Sequence, residues 1–177
     1  MIAFLFDTET TGLISNHVVP LDKQPSLIEL YGVTVDLTTG EVMEEVSHLI
    51  KPPKPVSEEI TRITGLADKD LQDSPAFSQL ADELQQAIER QPLVIAHNLS
   101  FDVEMIDMEY ERLGRNLAWP PKLCLVEATV HLKGFRLSLT ALHEHLFGEK
   151  FADAHRAQPD VEAMVRCAVK LFEMGEL

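Results

Sequence analysis

Five side chains that can bind a cation or move a proton stand in three separate segments: Asp7, Glu9, Asp102, His155 and Asp160. The segments read FLFDTETTGL (4–13), AHNLSFD (96–102) and AHRAQPD (154–160). Four carboxylates and one histidine suit two divalent cations and a base that activates water. The sequence therefore predicts the chemistry that cuts a phosphodiester bond, provided that the fold brings the three segments together.

Each of these residues also has a plainer interpretation when it is taken alone. Asp7 and Glu9 point to the same side of an extended strand, and they could be solvent-facing residues at its end. Asp102 falls in the first turn of a predicted helix, where it could simply complement the helix dipole. His155 could be a surface histidine that precedes Asp160 at the start of a last helix. Only the five residues together favour a shared site.

Electrostatics shows what such a site would require. Two carboxylates about 4 Å apart repel by roughly 4 kcal/mol at an effective dielectric near 20, so converging acids need compensation by cations. Ligation by oxygen alone suits Mg²⁺ or Mn²⁺ and not zinc. A histidine whose pKa is near 6.5 can accept a proton from an attacking water at neutral pH.

Length, composition and charge bound the class of protein. The 177 residues, 45% of them hydrophobic, are enough for one domain (1–177) with its own core. Cys124 and Cys167 are far apart and without zinc spacing, so we expect reduced thiols and a cytoplasmic location. No stretch approaches the roughly 18 apolar residues of a membrane span. The net charge of −14 argues against a protein that coats nucleic acid through a broad basic face, but not against an enzyme that binds a few nucleotides of one strand end.

Hydrophobic patterns predict an α/β domain with a mixed sheet. Short apolar or β-branched runs predict strands over 2–6, 27–37, 42–51 and 93–96, the middle two forming a hairpin. We expect a short helix from Ser57, a longer one opened by residues 73–75, and one capped by Ser100 that runs to about Leu113. Further helices are expected over 126–132, over 139–147 after Ser138, and from near Pro159 onwards.

Two other groups of residues are weaker candidates. His143 and His145 are two apart on a predicted helix, so they should diverge and be solvated. A mild basic interval either tracks phosphates or forms a solvated face, and the second interpretation is favoured; its members are Lys122, His131, Lys133 and Arg136.

The three segments resemble the motifs of the DEDDh branch of 3′–5′ exonucleases. FDTETTGL (6–13), HNLSFD (97–102) and HRAQPD (155–160) match the first, second and third motifs, and the stretch IKPPKPVSEEITRITGL (50–66) is also similar. The resemblance covers essentially the whole chain. It implies an RNase H-like fold, with a central mixed five-stranded sheet flanked by helices, and stepwise release of nucleoside monophosphates from a 3′ end.

The resemblance also implies roles for single residues. Asp7, Glu9, Asp102 and Asp160 would hold two divalent cations, Mg²⁺ or Mn²⁺, and His155 would be the general base. The backbone around Thr10 and Leu13 would hold the terminal nucleotide. The rest of the pocket would be shaped by Ile63, Asn98 and Phe101. One departure is visible, because family members often have a histidine where this chain has Thr64.

Three functions stay open at this point. The first is an exonuclease acting on 3′ ends of single-stranded or frayed DNA, and the second is an exoribonuclease that trims RNA. The third is a noncatalytic module that binds 3′ ends or a polymerase, which the complete ligand set disfavours. The chain stops soon after its last predicted helix, which favours a freestanding enzyme, although a DNA polymerase could still bind in trans. No membrane partner is expected.

Overall fold

The strand that carries the first motif lies at the centre of a five-stranded sheet. The computed structural model describes residues 1–16, 18–152 and 155–177. The strands are β1 (Ile2–Thr10), β2 (Leu27–Asp36), β3 (Glu41–Leu49), β4 (Val94–Ala96) and β5 (Lys122–Cys124). Their order in the sheet is β3-β2-β1-β4-β5. The pairs β1–β2 and β2–β3 are antiparallel, whereas β1–β4 and β4–β5 are parallel. The predicted mixed five-stranded sheet is confirmed.

Helices cover both faces of the sheet. They are α1 (Glu58–Thr64), α2 (Asp68–Leu71), α3 (Phe77–Glu89), α4 (Leu99–Arg112), α5 (Leu125–Lys133), α6 (Leu139–Phe147) and α7 (Ala157–Met174), with a 3₁₀ turn at Leu21–Lys23. One core lies between the sheet and α5, α6 and α7, which we call the α7 layer. A second core lies between the sheet and α3 and α4, which we call the α4 layer. None of the described helices is long and apolar enough to cross a membrane.

Alternate residues of β1 enter the two cores. Ala3 and Leu5 pack into the α7 layer, while Phe4 and Phe6 pack into the α4 layer. This is the period of two expected for a strand that is covered on both faces. The same alternation continues beyond the apolar run and determines which layer each polar residue of β1 faces.

Glycine is required at position 32 of β2, where the ring of Phe4 lies against the backbone. A Cβ built on Gly32 in β2 would lie only 2.3 Å from Cζ of the Phe4 ring. The bare backbone of Gly32 therefore gives that ring its space beside the sheet. The close fit fixes how the neighbouring strands β1 and β2 pack.

Several predicted boundaries were wrong by a few residues. β1 does not stop at Phe6 but runs through Thr10, because Asp7 to Thr10 keep pairing with β2. Ser100 does not cap α4: the helix starts at Leu99 after Asn98, so Ser100 lies inside its first turn. α7 starts at Ala157, two residues before Pro159, which still falls within the first turn, where proline is tolerated.

His143 was expected to be solvated, and this prediction was wrong. It is fully buried, because Leu139, Leu142 and His143 form the buried face of α6. Its Nδ1 lies 2.8 Å from the carbonyl oxygen of Glu149, and its ring packs against Phe147 with centroids 4.7 Å apart. The exposed His145 follows the prediction.

Candidate active site

The first motif meets the last helix on the α7 side of the sheet. Asp7 and Glu9 continue the odd-numbered face of β1 that Ala3 and Leu5 begin, so their side chains point towards α7. Asp160 lies in the first turn of α7. Carboxylate oxygens of Asp7, Glu9 and Asp160 all lie within 4.8 Å of one another. Three of the five predicted residues therefore form one compact group of carboxylate oxygens that could hold a cation.

Asp102 reaches the same region from the other layer. It is buried in the first turn of α4. The intervening even-numbered residue of β1, Thr8, donates to Asp102 Oδ1 from its backbone N–H at 3.1 Å and from its hydroxyl at 2.7 Å. Among the described residues, Asp102 is not one of the three converging ligands, but its charge raises the pKa of Asp7. It thus lies beside the group and is fixed to β1 through Thr8.

The four acids resist ionisation. Burial raises the pKa of Asp7 well above its ordinary value, and the charges of Asp102, Asp160 and Glu9 raise it further. Burial, with Asp160 next, raises the pKa of Glu9 to about 8. Burial raises the pKa of Asp102 to about 7, although the bonds from Thr8 oppose the shift, and burial also raises that of Asp160. A group of acids in this state is stabilised when cations neutralise it.

His155 is held next to Asp160 by its backbone. Its N–H donates to Asp160 Oδ2 at 2.9 Å, and its side chain is exposed. Its φ of 72° makes it the one non-glycine residue with positive φ in the described part of the chain. Such a conformation is strained and persists where neighbouring contacts enforce it. Ala154, which opens the third segment, lies outside the described residues.

Two further residues border the acidic group, and the motif analysis did not single them out. Glu29 in β2 is buried and stands opposite Glu9 on β1. Nε and Nη2 of Arg156 donate to its two carboxylate oxygens at 3.0 and 2.9 Å, and the N–H of Ala157 donates to Oε2 at 3.2 Å. The available signal was an acid inside the apolar run LIELYGV (27–33), which has to find a partner when it is buried.

The residues expected to hold a nucleotide are spread over three elements. Thr10 ends β1, buried, with its hydroxyl donating to the carbonyl of Gly12 at 2.7 Å. Asn98 is the exposed residue before α4, and Phe101, in the first turn of that helix, is half-buried. Phe101 immediately precedes Asp102 in α4, and Asn98 lies four residues before Asp102, next to the start of that helix.

Two exposed apolar side chains complete the expected set. Leu13 is 83% exposed and Ile63, near the end of α1, is 48% exposed. Thr64, which stands where relatives often have histidine, is buried and donates its hydroxyl to the carbonyl of Ile60 at 3.0 Å. The hydroxyl of Thr64 is thus engaged within its own helix.

The basic interval shows intramolecular pairing. Arg136 pairs with Glu127, and His131 lies 2.7 Å from Glu176. The Lys122 ammonium sits over the ring of Trp119. These contacts agree with the favoured interpretation of a solvated face.

The acidic group has the donor chemistry of a divalent cation site. All three converging ligands are carboxylate oxygens, the type that Mg²⁺ and Mn²⁺ prefer. Burial raises the pKa of all three, neighbouring carboxylates raise it further, and a bound cation would oppose both effects. The residues present therefore fit a metal centre.

Comparison with known proteins agrees with this geometry. The chain matches the family described as "Exonuclease" (RNase_T) over residues 4–168. It is 31% identical to the PolC-type DNA polymerase III of Staphylococcus epidermidis over 176 residues, and equally so to that of Staphylococcus aureus. The aligned region is 98% of this chain but only 12% of each polymerase.

Solved structures show the same fold. The nuclease domain of 3'hExo, a DEDDh family member bound to rAMP, superposes with a TM-score of 0.79 at 15% identity, covering 98% of this chain and 92% of that one. Exonuclease X in complex with 5′-overhanging duplex DNA gives 0.68 at 21% identity, covering 98% and 93%. On the family match over residues 4–168 and on the relatives that are 31% identical, the chain belongs to the exonuclease family.

Proposed function

We propose that residues 1–177 act as one exonuclease domain that hydrolyses single-stranded or frayed DNA from the 3′ end and releases nucleoside monophosphates. The observation that carries the proposal is the convergence of Asp7, Glu9 and Asp160 within 4.8 Å, with Asp102 fixed beside them. The relatives that are 31% identical are DNA polymerases, which favours DNA as the substrate.

Asp7, Glu9, Asp102 and Asp160 would hold two divalent cations, Mg²⁺ or Mn²⁺. When bound, such a pair stabilises the attacking and the leaving oxygens of an in-line displacement. The carboxylates have to lose their protons to bind, so their raised pKa values make binding weaker as the pH falls. This chain's acids therefore couple the assembly of the centre to pH.

His155 would accept the proton of the attacking water. Its exposed side chain can meet solvent and substrate, and its backbone N–H tethers it to Asp160. A general base has to come within hydrogen-bond reach of the attacking water. The tether keeps the imidazole next to a carboxylate of the cation centre without using either ring nitrogen.

The terminal nucleotide would lie between the end of β1 and the start of α4. The backbone near Thr10 and Leu13 would contact the sugar and phosphate, and Asn98 would donate to the nucleotide. Phe101 and the exposed Leu13 and Ile63 offer apolar surface for the base. Aromatic and apolar contacts accept any base, as a nonspecific exonuclease requires.

RNA is the second candidate substrate. The structural neighbours include the nuclease domain of 3'hExo bound to rAMP and a 3′-exonuclease that recognises a histone mRNA stem-loop. A DNA polymerase is the proposed partner because the relatives are polymerases, and we expect the activity in the cytoplasm. The chain spans 12% of the length of these polymerases.

The direct test uses 5′-labelled oligonucleotides of matched sequence in DNA and RNA, single-stranded and duplex, with paired or mismatched 3′ ends. With Mg²⁺ or Mn²⁺ we expect ladders that shorten from the 3′ end, fastest on single-stranded and mismatched DNA. RNA degraded faster than DNA would move the assignment to an exoribonuclease. Tight 3′-end binding without products would support the noncatalytic module instead.

Variants assign the activity to the proposed residues. Asp7→Asn should abolish metal-dependent turnover, because it removes a charged ligand. His155→Ala should reduce turnover by about 100-fold or more while Mn²⁺ still binds, as expected for loss of a general base. Asp73→Asn, which removes an exposed acid elsewhere, is the control and should leave the rate unchanged. Near-full turnover by His155→Ala would exclude its role as the base.

A further inference from the structure

The strained backbone of His155 needs support from outside its own segment. A histidine at φ 72° relaxes to a negative φ unless surrounding contacts oppose it. One contact comes from within the segment, the bond from its N–H to Asp160. The residues that follow it, Arg156 and Ala157, both bind Glu29, which lies on strand β2 of the sheet.

The contacts to Glu29 are geometrically specific. The Arg156 guanidinium makes two parallel bonds, at 3.0 and 2.9 Å, the fork arrangement that fixes both distance and orientation. The third bond, from the N–H of Ala157, uses a donor that the first turn of α7 leaves without a helical partner. Together the three bonds join β2 to the residues immediately after His155.

Burial makes the pair costly to break. The Glu29 side chain is only 9% exposed, and it stands opposite Glu9 on the same face of the sheet, close enough for its charge to act on Asp7, Glu9 and Asp160. Without Arg156 the Glu29 carboxylate would be an uncompensated buried charge. Since Arg156 and Ala157 occupy both of its oxygens, Glu29 is engaged as an anchor.

We propose that Glu29 and Arg156 are a positioning pair, which holds His155 in its left-handed conformation and the first turn of α7 over the acidic group. The inference rests on the proposed function, in which His155 is the base. Neither residue contacts the reacting atoms; they act through His155 and Asp160.

The first test needs no activity. Amide hydrogen exchange of the metal-free protein is measured for Arg156→Gln, Glu29→Gln and the control Arg166→Gln, which removes an arginine of α7 that pairs with Glu149. We expect the amides of residues 155 and 157 to exchange at least about tenfold faster in the first two variants and unchanged in the control. Unchanged exchange in all three would overturn the proposal.

The second test asks whether Arg156 acts through His155. In single-turnover assays Arg156→Gln should lower the rate by about 10- to 100-fold, the scale of a misplaced catalytic group. In a protein that already carries His155→Ala, Arg156→Gln should lower the single-turnover rate by less than about threefold, because the base that Arg156 positions is absent. An equal loss in both backgrounds would show a merely structural role and overturn the proposal.

One further variant, Arg156→Lys, and a binding measurement on Glu29→Gln keep the outcome interpretable. Arg156→Lys retains the positive charge but cannot make the two parallel hydrogen bonds, so its rate should lie between those of Arg156→Gln and the wild type. It replaces Arg156→Gln in the assay if that variant does not fold. Glu29→Gln should bind Mn²⁺ nearly as well as the wild type, and a loss as large as that of Glu9→Gln would make Glu29 a ligand and overturn its role as an anchor. If the wild type hydrolyses no substrate, the proposed function fails, while the exchange experiment still tests the pair.

Discussion

Thr8 connects the acids of β1 to Asp102 of α4. It stands between Asp7 and Glu9 but faces α4, where its hydroxyl and N–H both donate to Asp102. These bonds lower the pKa of Asp102 against a larger effect of burial, which leaves it at about 7. Thr8 thus keeps a buried carboxylate usable as a ligand near neutral pH.

We predict that Thr8→Val raises the pKa of Asp102 above about 7, because one donor to the carboxylate is lost. Mn²⁺ affinity at pH 7 should fall about tenfold, which is the scale of a charge-assisted hydrogen bond. The difference in affinity from the wild type should shrink by pH 9, because Asp102 is deprotonated in both proteins there. Calorimetric titration across pH measures both. Thr129→Val, which removes a buried hydroxyl that bonds within α5, is the matched control. A deficit that does not change with pH would contradict the prediction.

Residue types and spacing predicted the acids and the histidine, but not their supports. Asp7, Glu9, Asp102 and Asp160 could be proposed as ligands because each follows a recognisable apolar run or opens a predicted helix. The pairing of Glu29 with Arg156 joins residues 127 positions apart, and no local pattern connects them. The left-handed backbone of His155 was equally hidden, since it depends on those distant contacts.

The elements differ in how visibly the sequence encodes them. The long strands and amphipathic helices were placed within a few residues, because their periods repeat several times. β4 and β5 have three residues each, too few to repeat a period, and β5 was not located in advance. Their place in the sheet depends on parallel pairing with β1 and with each other, which only the tertiary fold determines.

At the level of elements we predict that Gly32→Ala destabilises the protein. The added methyl would meet the Phe4 ring at 2.3 Å, so β1 or the ring has to move, at a cost of about 1–3 kcal/mol or more. Urea unfolding of the metal-free protein measures the loss. The double variant Gly32→Ala with Phe4→Leu should recover part of it, because the smaller side chain frees the space. Equal stability of Gly32→Ala and the wild type would show that the ring yields freely.

The whole molecule carries a net charge of −14, and three of its acids, Asp7, Glu9 and Asp160, lie within 4.8 Å of one another. In the folded metal-free protein the pKa of Glu9 is about 8, against an ordinary value of 4.5. Between these values the folded state retains a proton that the unfolded chain has released. The protonated Glu9 contributes its full share to the free energy of unfolding below about pH 4.5, and this contribution is lost as the pH rises through about 8.

We therefore predict that the metal-free protein loses stability from about pH 5 to pH 8, by an amount on the order of a few kcal/mol at most. Saturating Mn²⁺ should oppose the loss, because cations bind the deprotonated folded state. Urea unfolding at pH 5.5 and 8.5, with and without Mn²⁺, measures this. Glu9→Gln should flatten the profile of the metal-free protein. A metal-free wild type that gains stability over this range would contradict the raised pKa.

The alternation of β1 has a consequence for recognising active members of the family. Side chains at odd positions of this strand face the α7 layer, and those at even positions face the α4 layer. Gaining or losing a single residue ahead of Asp7 would turn both of its acids towards α4 and the Thr8 hydroxyl towards α7. Such a sequence would still contain every motif residue but would lack nuclease activity. Checking whether the motif acids fall on the same alternate positions as the apolar residues that face the α7 layer would therefore identify inactive homologues that a search by residue type accepts.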